Sequence, residues 1–399
     1  MKSILQKEVT KISLYFVFIL LFGAIMAPAL FNLGKGIVGL KLLSEGGYLH
    51  KVLSESDFKR YFNRAMLLAA LIGLVPLLRS LKMRREDLGM VPNPRWRSHA
   101  GFGFIAAAGL LLAMGAIYVA LSIFEFKFQL GGSAIFSVVT SALAVAFLEE
   151  WFFRGAIFGL ALRTMKPLGA LIFVTFFYTI VHYLKPPDTV GLPEGTTVTM
   201  TAEDAANWKL DEGMQVTFER GDLEGSAEVV FGTDVRKGTA RLSEAPGFDP
   251  GYLTRPSGKR MKDIEVVPAD VTWGSGFWIV GKIFAEFGNP LFILSQFVTL
   301  FAVGWILGVA RLRTNSLWLS IGLHCGWVFG LKLFSKLTTI PPKLHKGEYL
   351  PWVGRDLKEG LVPLLFVVLT GLIVFFWLRR WGSRPHDSEL LAGAKPGGD

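Results

Sequence analysis

Between Ile12 and Phe31 the chain reads ISLYFVFILLFGAIMAPALF, twenty residues without a charge. A helix needs about 20 such residues to cross the ~30 Å hydrocarbon core of a bilayer. Inside lipid the backbone must satisfy its own hydrogen bonds, which restricts a spanning segment to a helix or a strand of a closed barrel. Comparable runs recur, and eight spans are expected, at 12–31, 65–81, 101–124, 134–163, 167–184, 290–310, 315–334 and 361–379. Hydrophobic residues make up 51% of the 399, too many for an ordinary soluble chain. The expected fold is therefore an all-α polytopic membrane protein of about eight transmembrane helices. Two shorter, more mixed segments, 36–44 and 276–287, are expected at the interface. Lys2, Lys7 and Lys11 ahead of the first run, with APA at 27–29, resemble a cleaved signal. An apolar core of about 20 residues exceeds the usual 7–15, so the first run is expected to be a retained helix.

One region breaks the pattern. Residues 188–268 carry nine Lys/Arg against fifteen Asp/Glu, a net of −6 in a chain whose total is +10. Short alternating runs (TVTMT, MQVTFE, AEVVF, TARLS, IEVVP) are separated there by Gly-, Pro- and Asp-rich breaks. Period-two alternation between turn residues predicts strands, so a small acidic β-rich soluble insertion is expected. The domain order is then 1–187 with the first five spans, 188–268 inserted, 269–382 with the last three, and 383–399 as a disordered tail. Following so soon after His182, the insertion is expected to influence access to whatever that histidine serves. Its net charge would favour basic peptide segments. With both termini cytoplasmic, the inside loops hold Arg79, Lys82, Arg84, Arg85, Arg95 and Arg97, then Arg311 and Arg313, then Arg379 and Arg380. That matches the positive-inside preference, and the basic balance implies no nucleic-acid partner. The single cysteine, Cys325, excludes an internal disulfide.

The fourth span contains FLEEWFFRGAIFGL, residues 147–160, with two carboxylates and an arginine at membrane depth. Ionisable groups there are expensive and tend to face a functional cavity. On a helix, Glu150 and Arg154 are four apart and share a face. Glu149 is rotated about 100° from Glu150 and needs a partner elsewhere. The next span offers Thr175, Tyr178 and His182 on one stripe, and the seventh places Ser320 beside His324. Of six histidines only His182 and His324 fall within expected spans, while His50, His99, His345 and His386 are expected in loops or the tail. A carboxylate and two imidazoles are what water activation needs: a base, an orienting group and a donor for an oxyanion. The bland alternative is a charged cluster satisfied for packing reasons alone.

EEWFFR matches the EExxxR motif of the CAAX prenyl protease and bacteriocin-processing family, and YTIVH resembles its FxxxH motif with Tyr178 in the phenylalanine position. HCGWV resembles the third motif, a histidine followed four residues later by asparagine or aspartate, with Val328 at that place. The chain is thus similar to type II CAAX endopeptidases over about 134–184 and 290–330. The resemblance implies an eight-helix intramembrane peptidase in which Glu149, Glu150, Arg154, His182 and His324 form the catalytic group. Glu149 and His182 would activate water, and His324 would help bind the oxyanion. Valine at 328 offers no donor, so Tyr178, Ser320 or a backbone N–H would have to supply one. The cofactor is left open: Glu149, His182 and His324 form a legitimate zinc ligand set, and a metal-free glutamate mechanism uses the same residues. The family is often labelled metalloprotease.

Rival chemistries lack their residues. There is no HExxH and no GxGD, and WGSG at 273–276 has tryptophan where a rhomboid-type motif needs glycine. Cys325 adjoins His324, but helix neighbours point about 100° apart, so a small apolar filler is expected. The expectation is an integral, multi-pass protein of a bacterial-type plasma membrane that hydrolyses a peptide bond of a membrane-associated protein or peptide, prenylated ones among them. The alternatives are a non-catalytic scaffold or chaperone of the same fold and a proton-coupled transporter; the latter lacks the inverted repeat such proteins show.

Overall fold

The structure, a computed structural model, describes residues 2–45, 47–127, 131–184, 190–191, 194–220, 223–244, 246–247, 252–255, 257–258, 260–267, 269–286, 290–339, 349–354 and 357–381. The expected tail, His345 and His386 lie outside them. The chain begins with helices α1 (Lys2–Gly39), α2 (Tyr48–Ser54), α3 (Phe58–Ser80) and α4 (Trp96–Ala120), then strand β1 (Glu125–Phe126). Helix α5 (Gly132–Glu150) continues without a break through a π-helical stretch, Trp151–Ile157, into α6 (Phe158–Thr164), and α7 (Pro167–Val181) follows. Next come β2 (Val190–Gly191), β3 (Thr197–Met200), α8 (Ala202–Asn207), β4 (Gln215–Arg220) and β5 (Leu223–Phe231). Strands β6 (Thr239–Leu242), β7 (Tyr252–Thr254), β8 (Arg260–Met261) and β9 (Glu265–Val267) precede α9 (Ser275–Glu286). The described chain ends with α10 (Pro290–Thr314), α11 (Trp318–Leu337), β10 (Thr338–Thr339) and α12 (Leu361–Trp381).

Six helices among the described residues are long and apolar enough to cross a membrane: Thr10–Gly39, Phe58–Ser80, Trp96–Ala120, Ala134–Thr164, Phe297–Thr314 and Leu361–Arg380. Two expected spans, 167–184 and 315–334, correspond to helices outside that set. The first, α7, is an apolar helix of only fifteen residues. The second, α11, is twenty residues long but carries Ser320, His324, Lys332, Ser335 and Lys336. These are the helices that bear or cap the two histidines, so the span signal weakens where polar chemistry enters.

The chain forms two compact units, residues 1–79 with 184–289 and residues 80–183 with 290–399. In the first, α9 packs along α1, with Gly276 against the Ala24 carbonyl, and buries Ile279 and Ile283 with Phe58 and Phe62. The segment expected at the interface, 276–287, is thus largely this packed helix. A mixed sheet in the same unit has the order β8-β7-β4-β5-β3-β6-β9, with β2 beside β5. Alternate residues point to one core: Val198 and Met200, Val216 and Phe218, Ala227 and Val229, Ala240 and Leu242. That is the period of two a pleated strand imposes.

In the second unit α11 lies closely against α4. Gly322, Gly326 and Gly330, four apart, line the contact: a Cβ on Gly326 would come within 2.6 Å of the Phe104 carbonyl oxygen. On the facing helix, one on Gly103 would meet Leu319 O at 2.8 Å. Small residues at this spacing let helix backbones approach where lipid supplies no hydrophobic drive for association. His324 is two residues from Gly322, about 200° around the helix, and so faces away from α4. His99, expected in a loop, lies instead in the first turn of α4, because the helix starts at Trp96 rather than near 101. Its ring is buried, with Nδ1 3.1 Å from Asn93 Nδ2. His50, also expected in a loop, lies in α2.

Candidate active site

All the sequence-identified charges meet inside the second unit. Glu150 closes α5 and Arg154 lies in the π-helical stretch, and neither side chain has any exposed surface. Glu150 Oε1 accepts from Arg154 Nη1 at 2.9 Å and stands 2.8 Å from His324 Nδ1. An ionised carboxylate can only accept, so His324 donates from Nδ1. Arg154 Nη2 reaches the Gly304 carbonyl at 3.4 Å, and its guanidinium lies 4.1 Å from the Tyr178 ring centroid. Gly304 makes that possible: a Cβ there would come 3.0 Å from the Tyr178 ring, so glycine lets α10 approach α7. π-Helical turns are rare and concentrate at functional sites. Here one carries the arginine that holds the cluster together.

His182 caps the C-terminus of α7. Its Nδ1 is 2.8 Å from the Tyr178 carbonyl oxygen. A carbonyl only accepts, so Nδ1 carries the proton and Nε2 is turned toward Glu149. Glu149 Oε2 lies 3.6 Å from His182 Nε2 and 3.7 Å from His324 Nε2. Both separations exceed a hydrogen bond, and the two imidazole Nε2 atoms face the same carboxylate oxygen. The Glu149 side chain is 31% exposed and that of Glu150 is 0%. Adjacent glutamates therefore occupy different worlds, one at a partly open corner, one sealed between an arginine and an imidazole.

The charges sum simply. Two carboxylates and one guanidinium leave −1 in a buried place, and one extra proton on the imidazoles or Glu149 brings the cluster to neutrality. Among the described residues no group of three His, Cys, Asp or Glu is disposed to hold a metal ion. Glu149, His182 and His324, the set named for zinc, do not form one as these side chains stand, and nothing here supports the metalloprotease label.

The proposed oxyanion helpers divide. Tyr178 is buried in the cluster, its ring 4.1 Å from that of His182 and 6.4 Å from that of His324. Ser320 is buried one turn before His324, but its hydroxyl donates to Leu317 O at 2.9 Å. Val328 packs with Ala142, Ala146 and Cys325 in an apolar cluster, where Cys325 serves as filler. Gly304 was not legible as a site residue, because its contribution is a backbone carbonyl and an absent side chain.

The family described as Type II CAAX prenyl endopeptidase Rce1-like matches the chain over residues 131–204 and 264–330. The matched stretches contain both glutamates, Arg154, His182 and His324, and omit most of the sheet. No curated protein and no solved structure matches the chain. Over the region that carries its buried charges, the chain is similar to the type II CAAX prenyl endopeptidase Rce1-like family, a family of membrane proteases.

Proposed function

We propose that this protein is an intramembrane endopeptidase in which Glu149 is the general base. The observation that carries the proposal is the convergence of His182 and His324 on Glu149 Oε2 from two other helices. Water held at that corner loses a proton to Glu149 as it attacks the peptide carbonyl. His182, its tautomer fixed by the Tyr178 carbonyl, orients the water. His324 in its doubly protonated form donates Nδ1–H to Glu150 and Nε2–H to the developing oxyanion. The proton on Glu149 then passes to the leaving amine. Glu150 and Arg154 position His324. The substrate class is a membrane-associated peptide or protein, prenylated chains among them. Eight spans are proposed, α7 and α11 crossing with the six longer helices, with both termini on the cytoplasmic side.

A second reading, a scaffold that binds without cleaving, is favoured by the apolar setting of Val328. Incubating purified protein with a library of membrane peptides, with and without a chelator, separates the two. Peptidase activity requires new termini that are absent with Glu149→Gln. The metal-free mechanism requires full cleavage under chelation with zinc well below one equivalent. Binding without cleavage at any condition would favour the scaffold.

A further inference from the structure

One end of the second unit is strongly basic. Lys82, Arg84, Arg85 and Arg95 lie in the loop before α4, and Arg97 opens that helix. Arg163 at the end of α6 donates to the Leu81 carbonyl, and Arg311 near the end of α10 reaches the Asp87 carbonyl at 3.3 Å, so both stand at the same end. The acids there are Glu86 and Asp87, and Asp87 is already bound to Arg163.

At this end a cavity of about 520 Å³ is lined by aromatic and apolar side chains with few polar ones. Its size falls in the range of small-ligand pockets. Trp96, Trp151 and Trp318 line it, with Phe147, Leu317 and Ile321. The Trp96 and Trp318 rings are 4.9 Å apart, and Arg97 lies 5.3 Å over Trp96. Arg85 and Glu86 bring charge to the lining, and no ion pair among the described residues engages Arg85. Trp151 Nε1 is buried with no acceptor among the described residues. The site therefore offers tryptophans suited to the membrane interface, an available cation, an unused N–H donor and apolar walls. A soluble anion would leave those walls unused, and an uncharged acyl chain would leave the donors unused.

We propose that this cavity binds one phospholipid with an anionic headgroup, its phosphate near Arg85 and the start of its acyl chains among the tryptophans. Basic pockets between transmembrane helices hold such headgroups on the cytoplasmic side. A zwitterionic lipid brings its own ammonium and gains less from Arg85. Phe147 and Trp151 flank the two glutamates in sequence, so the bound lipid braces the segment that carries them. The binding does not depend on the protein being a peptidase.

The test places the whole protein in nanodiscs of equal phosphatidylcholine and phosphatidylglycerol, then weighs it intact by native mass spectrometry after release into mild detergent. One retained phosphatidylglycerol is expected, favoured over phosphatidylcholine by roughly fivefold, about what one basic residue near a membrane surface contributes. Arg85→Gln should bring retention to parity with an unchanged melting temperature, while Lys336→Gln at the other end of α11 should leave the preference intact. Parity in the unaltered protein would overturn the proposal. So would an equal loss in the Lys336 variant, which would mean diffuse charge, or recovery of a peptide or free fatty acid in place of phospholipid.

Discussion

Carboxylate–cation pairs occur in two very different settings in this molecule. In the sheet-bearing unit, Arg236–Glu265 at 2.9 Å and Arg241–Asp270 at 3.3 Å stand in solvent, with side-chain exposures of 78% and 53%, and 47% and 76%. In the other unit Glu150 and Arg154 pair at 2.9 Å with no exposure on either side. The distances are alike; the surroundings decide what each pair is worth. Water and salt screen the exposed pairs to about 0–1 kcal/mol. For the buried pair desolvation is so costly that removing one partner strands the other, at about 3–5 kcal/mol. Ionisable pairs at membrane depth are rare and tend to mark functional sites, and this one touches His324, whose Nδ1 stands 2.8 Å from Glu150 Oε1.

The contrast can be broken most forcefully at Arg154. Arg154→Ala should cost about 3–5 kcal/mol by leaving Glu150 charged and sealed, read as a large fall in melting temperature or in recovered protein. Adding Glu150→Gln to an Arg154→Gln variant should recover part of that loss, and a strictly additive double variant would deny the pairing. Asp87 sits between the extremes. Burial raises its pKa, but the Arg163 hydrogen bond, the Arg84 backbone N–H and both charges outweigh it and hold the carboxyl below its usual value. A folded pKa below the unfolded ~3.9 contributes stability above that pH and loses it as pH falls through the folded value. Asp87→Asn should therefore destabilise by less than about 1 kcal/mol at pH 7, and the difference in melting temperature should fade toward pH 3. Arg241→Ala should change stability least, within about 0.2–1 kcal/mol. A larger loss there, checked by thermal melting at low and high salt, would show that exposure is a poor guide to worth in this protein.

The sequence carried the charges more plainly than it carried their geometry. EEWFFR and the four-residue spacing of Glu150 and Arg154 are local features, and local features survive translation into structure. The pairing of Glu150 with His324 joins residues 174 positions apart, and no spacing rule encodes it. The π-helical stretch was invisible because WFFRGAI reads as ordinary apolar helix. Helix α7 and helix α11 were legible as apolar segments but poorly as spans, since the residues that make them useful also lower their hydrophobicity. His99 was misplaced because Trp96 and Arg97 look like loop residues until α4 is seen to begin with them.

In the proposed mechanism the adjacent glutamates divide the labour, Glu149 performing chemistry and Glu150 holding the scaffold. The most direct measurement is turnover on a cleaved membrane peptide alongside melting temperature for Glu149→Gln and Glu150→Gln. Glu149→Gln should lower turnover by roughly 10²–10⁴, the usual worth of a general base, with melting nearly unchanged because an amide removes charge rather than stranding it. Glu150→Gln should lower the melting temperature by leaving Arg154 without its anion, and activity should fall with it. Equal stability losses with indistinguishable turnover in the two variants would contradict the account and make both glutamates structural.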